Sequence, residues 1–268
     1  MKALLSVLLL CGCASFSPVT IARELGSVGW FRADGALKWQ PVDPAPACGP
    51  LAASVGEGEV IVLVPGVKGD GPEITAMLPL LAKAKPAAMF LYRWVPWDHR
   101  DAIAGGFATG LSHLLECLPN ADGRLLVLAH SAGGIVVSLG ATRVNVPTRA
   151  RSGPATYLIT VASPLAGTNE RDPNADGRAE VRFMLDFGTR VRGYPVAPAA
   201  IKAVHLRTQY PADTVMKPAG PHLPNDPKIG IPDARQIDLP AGLTHDGSLL
   251  YVAQTLSDGT WRTWFENP

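Results

Sequence analysis

Ser131 lies where an apolar segment of the chain gives way to a glycine-rich one. Leu125–Ala129 has the composition of a buried strand, and the apolar residues after Gly133 and Gly134 are typical of a buried helix. A serine on a tight turn between the two would stand clear of the backbone. It would also lie at the N-terminal end of a helix, whose amides and dipole favour a developing anion. The pattern therefore suits a nucleophile, and a turn that only joins a strand to a helix is the alternative.

The residues two positions before and after such a serine must be small, because neighbouring backbone approaches them closely. Ala129 and Gly133 meet this requirement. The segment Ala129-His130-Ser131-Ala132-Gly133 resembles the nucleophile elbow of the α/β-hydrolase superfamily, in the Ala-His-Ser-x-Gly form found in certain bacterial lipases. Ala129 replaces the glycine that is usual at the first position, a change that is conservative in size. The resemblance implies an α/β fold and a serine esterase or lipase.

Two backbone amides are expected to bind the oxyanion of the tetrahedral intermediate. In the superfamily one amide belongs to the residue after the nucleophile, which here is Ala132. The other comes from the turn after an early central strand, and Val60–Val67 resembles that strand and its glycine turn. The resemblance therefore assigns the second oxyanion amide to Val67.

Aromatic residues follow the predicted strand Ala88–Arg93, at the edge of the sheet where ligands bind in such folds. Trp94, Trp97 and His99 could line the acyl or alcohol pocket, and a core position under the helices is the better interpretation for at least one of the tryptophans. We expect Trp97, together with Gly66 and His130, to contact the substrate.

The triad of the superfamily runs along the chain in the order serine, acid, histidine. Asp213 begins an Asp-Thr-Val turn after a predicted strand, and this turn resembles the one that carries the acid. His245 follows the last predicted strand and occupies the place of the base. The competing candidates are His222 for the base and Asp186, Asp226 and Asp233 for the acid.

The mechanism implied by the resemblance uses these three side chains. His245 takes the proton of Ser131, Asp213 orients and stabilises the imidazole, and Ser131 attacks a carbonyl to form an acyl-enzyme that water hydrolyses. The expected substrate is a small-molecule or lipid ester, and neither a metal nor an organic cofactor is expected. An acyltransferase, a thioesterase or an amidase could use the same triad. A non-catalytic envelope binding protein with this fold is the alternative from another class.

Short apolar runs alternate with longer helical patterns from residue 59 onward, which predicts a mostly parallel sheet covered by helices on both faces. The predicted strands are Glu59–Val64, Ala88–Arg93, Arg124–Ala129, Ala155–Val161, Lys202–Arg207 and Ala234–Leu239. The predicted helices are Pro72–Lys83 with a kink at Pro79, a helix from its N-cap Asp101 to Cys117, and Ser248–Leu256. Ahead of these elements, Ser27–Val42 predicts a hairpin around a two-residue Asp34-Gly35 turn.

Two weaker patterns lie between residues 169 and 200. The segment could form a lid over the pocket, and buried packing is equally consistent with its apolar residues. Asp172–Gly177 begins like a calcium loop, but Phe183 stands where the loop requires a glutamate. A solvated turn is therefore the better interpretation, and no metal site is predicted.

Length and charge limit the classes of protein that the chain can belong to. Its 268 residues suit one large domain rather than two. Hydrophobic residues make up 47% and charged residues 18%, which excludes a disordered chain. The formal net charge is +1 without a basic run, so a nucleic-acid partner is not expected. The pattern does not indicate an oligomeric state.

The first residues resemble a bacterial lipoprotein signal. Lys2 precedes the apolar run Ala3–Leu10, which is too short to cross a bilayer as a helix but suits the apolar region of a signal peptide. The residues before Cys13 resemble a lipobox, so we expect removal of residues 1–12 and lipidation of Cys13. Ala14 then favours the outer membrane, on its periplasmic face. An ordinary cleaved signal and a mis-called start codon are the alternatives.

Two further cysteines remain in the expected mature chain, Cys48 and Cys117. An even number in an oxidising compartment favours a disulfide, and two buried thiols are the alternative. Cys48 belongs to an N-terminal segment, residues 13–58, and residues 59–268 form the expected catalytic domain.

Overall fold

The computed structural model of the chain describes residues 29–43, 58–66, 72–94, 100–118, 125–146, 156–165, 200–209, 212 and 234–266. Its strands are β1 Gly29–Ala33, β2 Trp39–Pro41, β3 Val60–Val64, β4 Ala88–Arg93, β5 Leu125–His130, β6 Thr156–Val161, β7 Ile201–Arg207 and β8 Arg235–Asp238. Its helices are α1 Pro72–Lys83, α2 Arg100–Cys117, α3 Gly133–Ala141 and α4 His245–Ser257, followed by a 3-10 helix, Thr260–Trp264.

The eight strands form a single sheet in the order β2-β1-β4-β3-β5-β6-β7-β8. The strands from β4 through β8 in this order are parallel neighbours, whereas β1 pairs antiparallel with both β2 and β4. Because side chains alternate between the two faces of the sheet along each strand, the apolar residues form two clusters, one on each face. Side chains of α2 and α3 pack on one face of the sheet, and those of α1 and α4 pack on the other. This arrangement confirms the predicted mostly parallel sheet with helices on both faces.

The predicted strands from β3 to β8 are present, with bounds that differ by at most a residue at either end. Buried parallel strands carry apolar residues on both faces, so their sequences are near-continuous apolar runs. α1 has its predicted bounds and continues through Pro79. α2 begins at Arg100, so Asp101 lies in the first turn rather than at the N-cap.

The predicted hairpin is present, but the prediction of a two-residue turn is wrong. Ala33 pairs with Trp39, so residues 34–38 form the loop. The carboxylate of Asp34 accepts hydrogen bonds from the backbone N–H groups of Ala36 and Lys38, each at 2.9 Å. Leu37 takes the left-handed conformation within this loop, with a φ of 57°. The aspartate therefore organises a longer turn through its side chain.

His205 is a buried histidine inside the sheet. It lies opposite Thr160 in the register of β6 and β7, and its Nδ1 is 2.7 Å from the Thr160 hydroxyl oxygen. Its Nε2 is buried with no hydrogen-bond partner in the described part of the chain. Burial lowers the pKa of His205 to about 4, so the folded protein holds this side chain neutral.

We expect the stability of the protein to fall as the pH drops from about 6.5 to about 4. In this range the unfolded chain protonates His205 and the folded chain does not, so acid favours unfolding. The difference between the two pKa values amounts to about 3 kcal/mol of stability, which is lost in full only when the pH has fallen below about 4. His205→Asn can keep a partner for Thr160 but cannot titrate. Urea unfolding of both proteins across this range should show a flatter pH dependence for the variant, and equal slopes would contradict the assignment.

Candidate active site

Ser131 forms the turn between β5 and α3, which is the context that the sequence predicts. Its φ is 51°, in the left-handed region that residues with a Cβ rarely adopt. Such a conformation costs about 1 to 2 kcal/mol, and it persists only where the surroundings impose it. The side chain is partly exposed, whereas every residue of α3 is buried. The backbone thus presents one hydroxyl above an otherwise buried helix.

The small residues around Ser131 allow the end of β3 to approach the turn. A Cβ on Gly133 would lie 2.3 Å from the carbonyl oxygen of Val64 and 2.4 Å from that of Pro65. A Cβ on Gly66 would lie 3.0 Å from the Cβ of Ser131. The requirement for small residues is therefore one of space, and Gly66 lies directly beside the serine.

Backbone amides are available at the start of α3. Ala132 is the N-cap residue, and its side chain makes no capping hydrogen bond. Among the described residues, no oxygen accepts a hydrogen bond from its N–H group. This amide suits the role of oxyanion donor, because an uncapped helix N-terminus favours a negative charge.

The indole of Trp94 holds the backbone that leads from β3 toward the second expected oxyanion amide. The Nε1–H of Trp94 donates to the carbonyl oxygen of Pro65 at 2.8 Å, and the side chain of Trp94 is fully buried. Trp94 is therefore a core residue that fixes the backbone just before Gly66. Val67 itself lies outside the described residues.

His245 is the first residue of α4, not part of the loop before it, so the predicted helix start at Ser248 is wrong. Thr244 acts as the N-cap, and its Oγ1 accepts a hydrogen bond from the N–H of Gly247 at 3.1 Å. Threonine is preferred at this position because its side-chain oxygen accepts a hydrogen bond from a backbone amide of the first turn that has no partner within the helix. The helix therefore begins earlier and carries the partly exposed His245 at its N-terminus.

The structure brings His245 next to the residue that precedes the serine. The rings of His130 and His245 have their centroids 4.7 Å apart, and Nε2 of His130 lies 3.1 Å from the carbonyl oxygen of His245. The predicted base therefore lies beside the residue that precedes the predicted nucleophile.

The structure shows a contact of His130 that the sequence analysis does not predict. Its side chain is buried, and its Nε2 lies 3.1 Å from the carbonyl oxygen of His245, while contact with substrate stays a prediction. Its position on the last residue of a buried strand was the available signal, because alternation along β5 fixes the face on which it lies.

Several predicted site residues lie outside the described residues: Asp213, Val67, Trp97, Cys13 and Cys48, together with the competing His222, Asp186, Asp226 and Asp233. The same holds for the calcium-like loop and for all but the last residue of the 169–200 segment. Cys117 is buried and disulfide-bonded. Its partner is not among the described residues, and Cys48 stays a prediction. Within the described ranges, no group of histidine, cysteine, aspartate and glutamate side chains could hold a metal ion.

Neither a known family model nor a curated protein sequence matches the chain. Solved structures resemble it. Aspergillus fumigatus lipase B is 14% identical, with 74% of this chain and 51% of that chain covered and a TM-score of 0.51. Bacillus licheniformis lipase BlEst2 is 16% identical, with 90% and 100% covered and a TM-score of 0.49. The metagenomic carboxyl esterase MGS0156 is 14% identical, with 75% and 76% covered and a TM-score of 0.48. At these identities the likeness concerns the fold alone. With its strand order and covering helices, the chain has the α/β-hydrolase fold.

Proposed function

We propose that the chain is a serine hydrolase that cleaves carboxylic esters, with Ser131 as nucleophile, His245 as base and Asp213 as acid. The observation that carries the proposal is the left-handed backbone of Ser131 on a strand-to-helix turn. Strain at a residue with a Cβ is typical of functional sites. Here it coincides with a helix N-terminus that no side chain of the described residues caps, and with a neighbouring histidine.

The proposed reaction proceeds in two halves. His245 accepts the hydroxyl proton while Ser131 Oγ bonds to the ester carbonyl carbon, and the Ala132 and Val67 amides bind the oxyanion. The carbon–oxygen bond to the alcohol then breaks, and His245 returns the proton to the departing alcohol. Water, deprotonated by His245, releases the acid and restores the serine. Asp213 keeps the imidazole oriented and stabilises its charged form.

The test is labelling of the purified mature domain with a fluorophosphonate, followed by mass spectrometry of the modified peptide. We expect one adduct, on Ser131, and none in Ser131→Ala. A matching panel of p-nitrophenyl esters would show turnover and the preferred acyl length. If the folded wild-type protein neither reacts nor turns over any ester, the proposal fails and a non-catalytic binding protein becomes the better interpretation.

We also propose that the enzyme is anchored to the cell envelope through a lipidated Cys13, as its lipobox-like segment suggests. None of the helices in the described ranges is long and apolar enough to cross a membrane. More than one acyl chain on a single cysteine would make the attachment durable. We expect Cys13→Ala to move the protein from the membrane fraction to the soluble fraction and to abolish incorporation of labelled palmitate. A variant that stays in the membrane fraction would contradict the anchor.

A further inference from the structure

The side chain of His130 lies on the face of the sheet that packs against α4. Leu126 and Leu128 of β5 belong to the apolar cluster that includes Leu249 and Val252 of that helix. Side chains alternate along a strand, so His130 shares this face with the two leucines. Only 3% of its surface is exposed. His130 therefore lies beneath the N-terminal turn of α4, at the very residue that precedes Ser131.

The contact with His245 determines which ring nitrogen of His130 carries a hydrogen. Its Nε2 lies 3.1 Å from the carbonyl oxygen of His245, which can only accept. Nε2 must therefore be protonated and donate. The same carbonyl oxygen also accepts a hydrogen bond from the hydroxyl of Ser248 at 2.6 Å.

These two hydrogen bonds constrain the carbonyl group relative to different elements of the fold. Ser248 belongs to α4, so its bond moves with the helix and cannot fix the position of the helix over the sheet. His130 belongs to β5, whose backbone is paired with β3 on one side and β6 on the other. Its bond to His245 joins the helix to the rigid centre of the sheet across 115 positions of sequence.

We propose that His130 is a positioning residue, which holds the backbone of His245 at a fixed distance from the nucleophile turn. The inference rests on the proposed function, because it assigns His245 the role of base. The base must come within about 2.6 to 3.2 Å of the serine hydroxyl. A displacement of about 1 Å can lower a rate by about 100-fold. The link from Ser131 to His245 then consists of one peptide bond, one buried ring and one hydrogen bond.

The experiment compares two side chains of equal length. Glutamine at position 130 can place an N–H donor near the former Nε2, and methionine cannot. We expect His130→Met to lower kcat for a p-nitrophenyl ester about 10- to 100-fold with KM changed less than about 3-fold. His130→Gln should keep kcat within about 3-fold of wild type. Thermal unfolding of both variants shows whether they are folded to the same extent.

Each result decides the inference. Equal kcat losses in the two folded variants would overturn it, because the ring rather than its donated hydrogen bond would then matter. A His130→Met enzyme with wild-type kcat would overturn it as well. A nitrogen-15 spectrum of histidine-labelled wild-type protein tests the same contact without substitution. It should show a protonated Nε2 on His130, and an unprotonated Nε2 would overturn the inference. Wild-type protein that neither labels nor turns over ester would instead overturn the proposed function, and the inference with it.

Discussion

Ser131→Ala is expected to lower kcat for ester hydrolysis by a factor of about 10⁴ or more. The variant would lose the atom that forms the acyl-enzyme in the proposed reaction, and loss of a single triad member removes most of the rate enhancement. The residual rate would come from the amides at the start of α3 and from substrate binding. Steady-state hydrolysis of the best ester from the panel measures the loss. A fall in kcat of less than about 10-fold would exclude Ser131 as the nucleophile.

Ser131→Gly provides the matched control, because it removes the same hydroxyl and differs in its backbone. Glycine adopts a φ of 51° without the steric cost that a Cβ imposes. We expect Ser131→Gly to be as inactive as Ser131→Ala and more stable than it by about 1 kcal/mol, partly offset by the greater freedom of glycine in the unfolded chain. Urea unfolding of the two variants measures this difference, and a less stable glycine variant would show that the turn is not strained.

The strain at Ser131 is maintained by packing that the sequence reveals only in part. The apolar run before the serine and the glycines after it predict a strand, a turn and a helix, and all three are present. These features are local, since each depends on the pattern of neighbouring residues. The approach of Val64 and Pro65 to Gly133 is different, because it depends on the pairing of β3 with β5.

Side-chain hydrogen bonds explain where local patterns fail. The Asp34 carboxylate satisfies two backbone N–H groups, so the hairpin loop is longer than its Asp-Gly pair indicates. Thr244 caps α4 and places His245 inside the helix rather than before it. Both aspartate and threonine favour turns and caps alike, and the sequence does not state which backbone groups their oxygens will reach.

Predicting the contact of His130 with His245 requires information that no local sequence pattern contains. Alternation along β5 determines that His130 points to the opposite face from Ala129. Which helix covers that face depends on the path of the chain over the whole sheet. The buried polar pair of His205 and Thr160 is similar, because its hydrogen bond follows from the register of β6 and β7.

Gly133→Ala is expected to destabilise the protein by about 2 to 3 kcal/mol. The added methyl group would lie 2.3 Å from the carbonyl oxygen of Val64 and 2.4 Å from that of Pro65, far inside van der Waals contact. Val64 is paired with Ala129 of β5, so its backbone cannot retreat without weakening the centre of the sheet. The free energy of unfolding in urea measures the effect.

Gly105→Ala is the control for this substitution, because Gly105 is also a helical glycine and a Cβ there would meet nothing within 4 Å. Alanine should stabilise α2 by about 0.5 to 1 kcal/mol, so the two variants are expected to change stability in opposite directions. Wild-type stability in Gly133→Ala would mean that β3 and α3 are farther apart than the structure has them. The folded fraction of Gly133→Ala should also lose activity, since relief of the clash moves Pro65 and Gly66 away from Ser131. In the proposed enzyme, Gly133 would thus serve the reaction by letting the backbone of the neighbouring strand lie against Ser131.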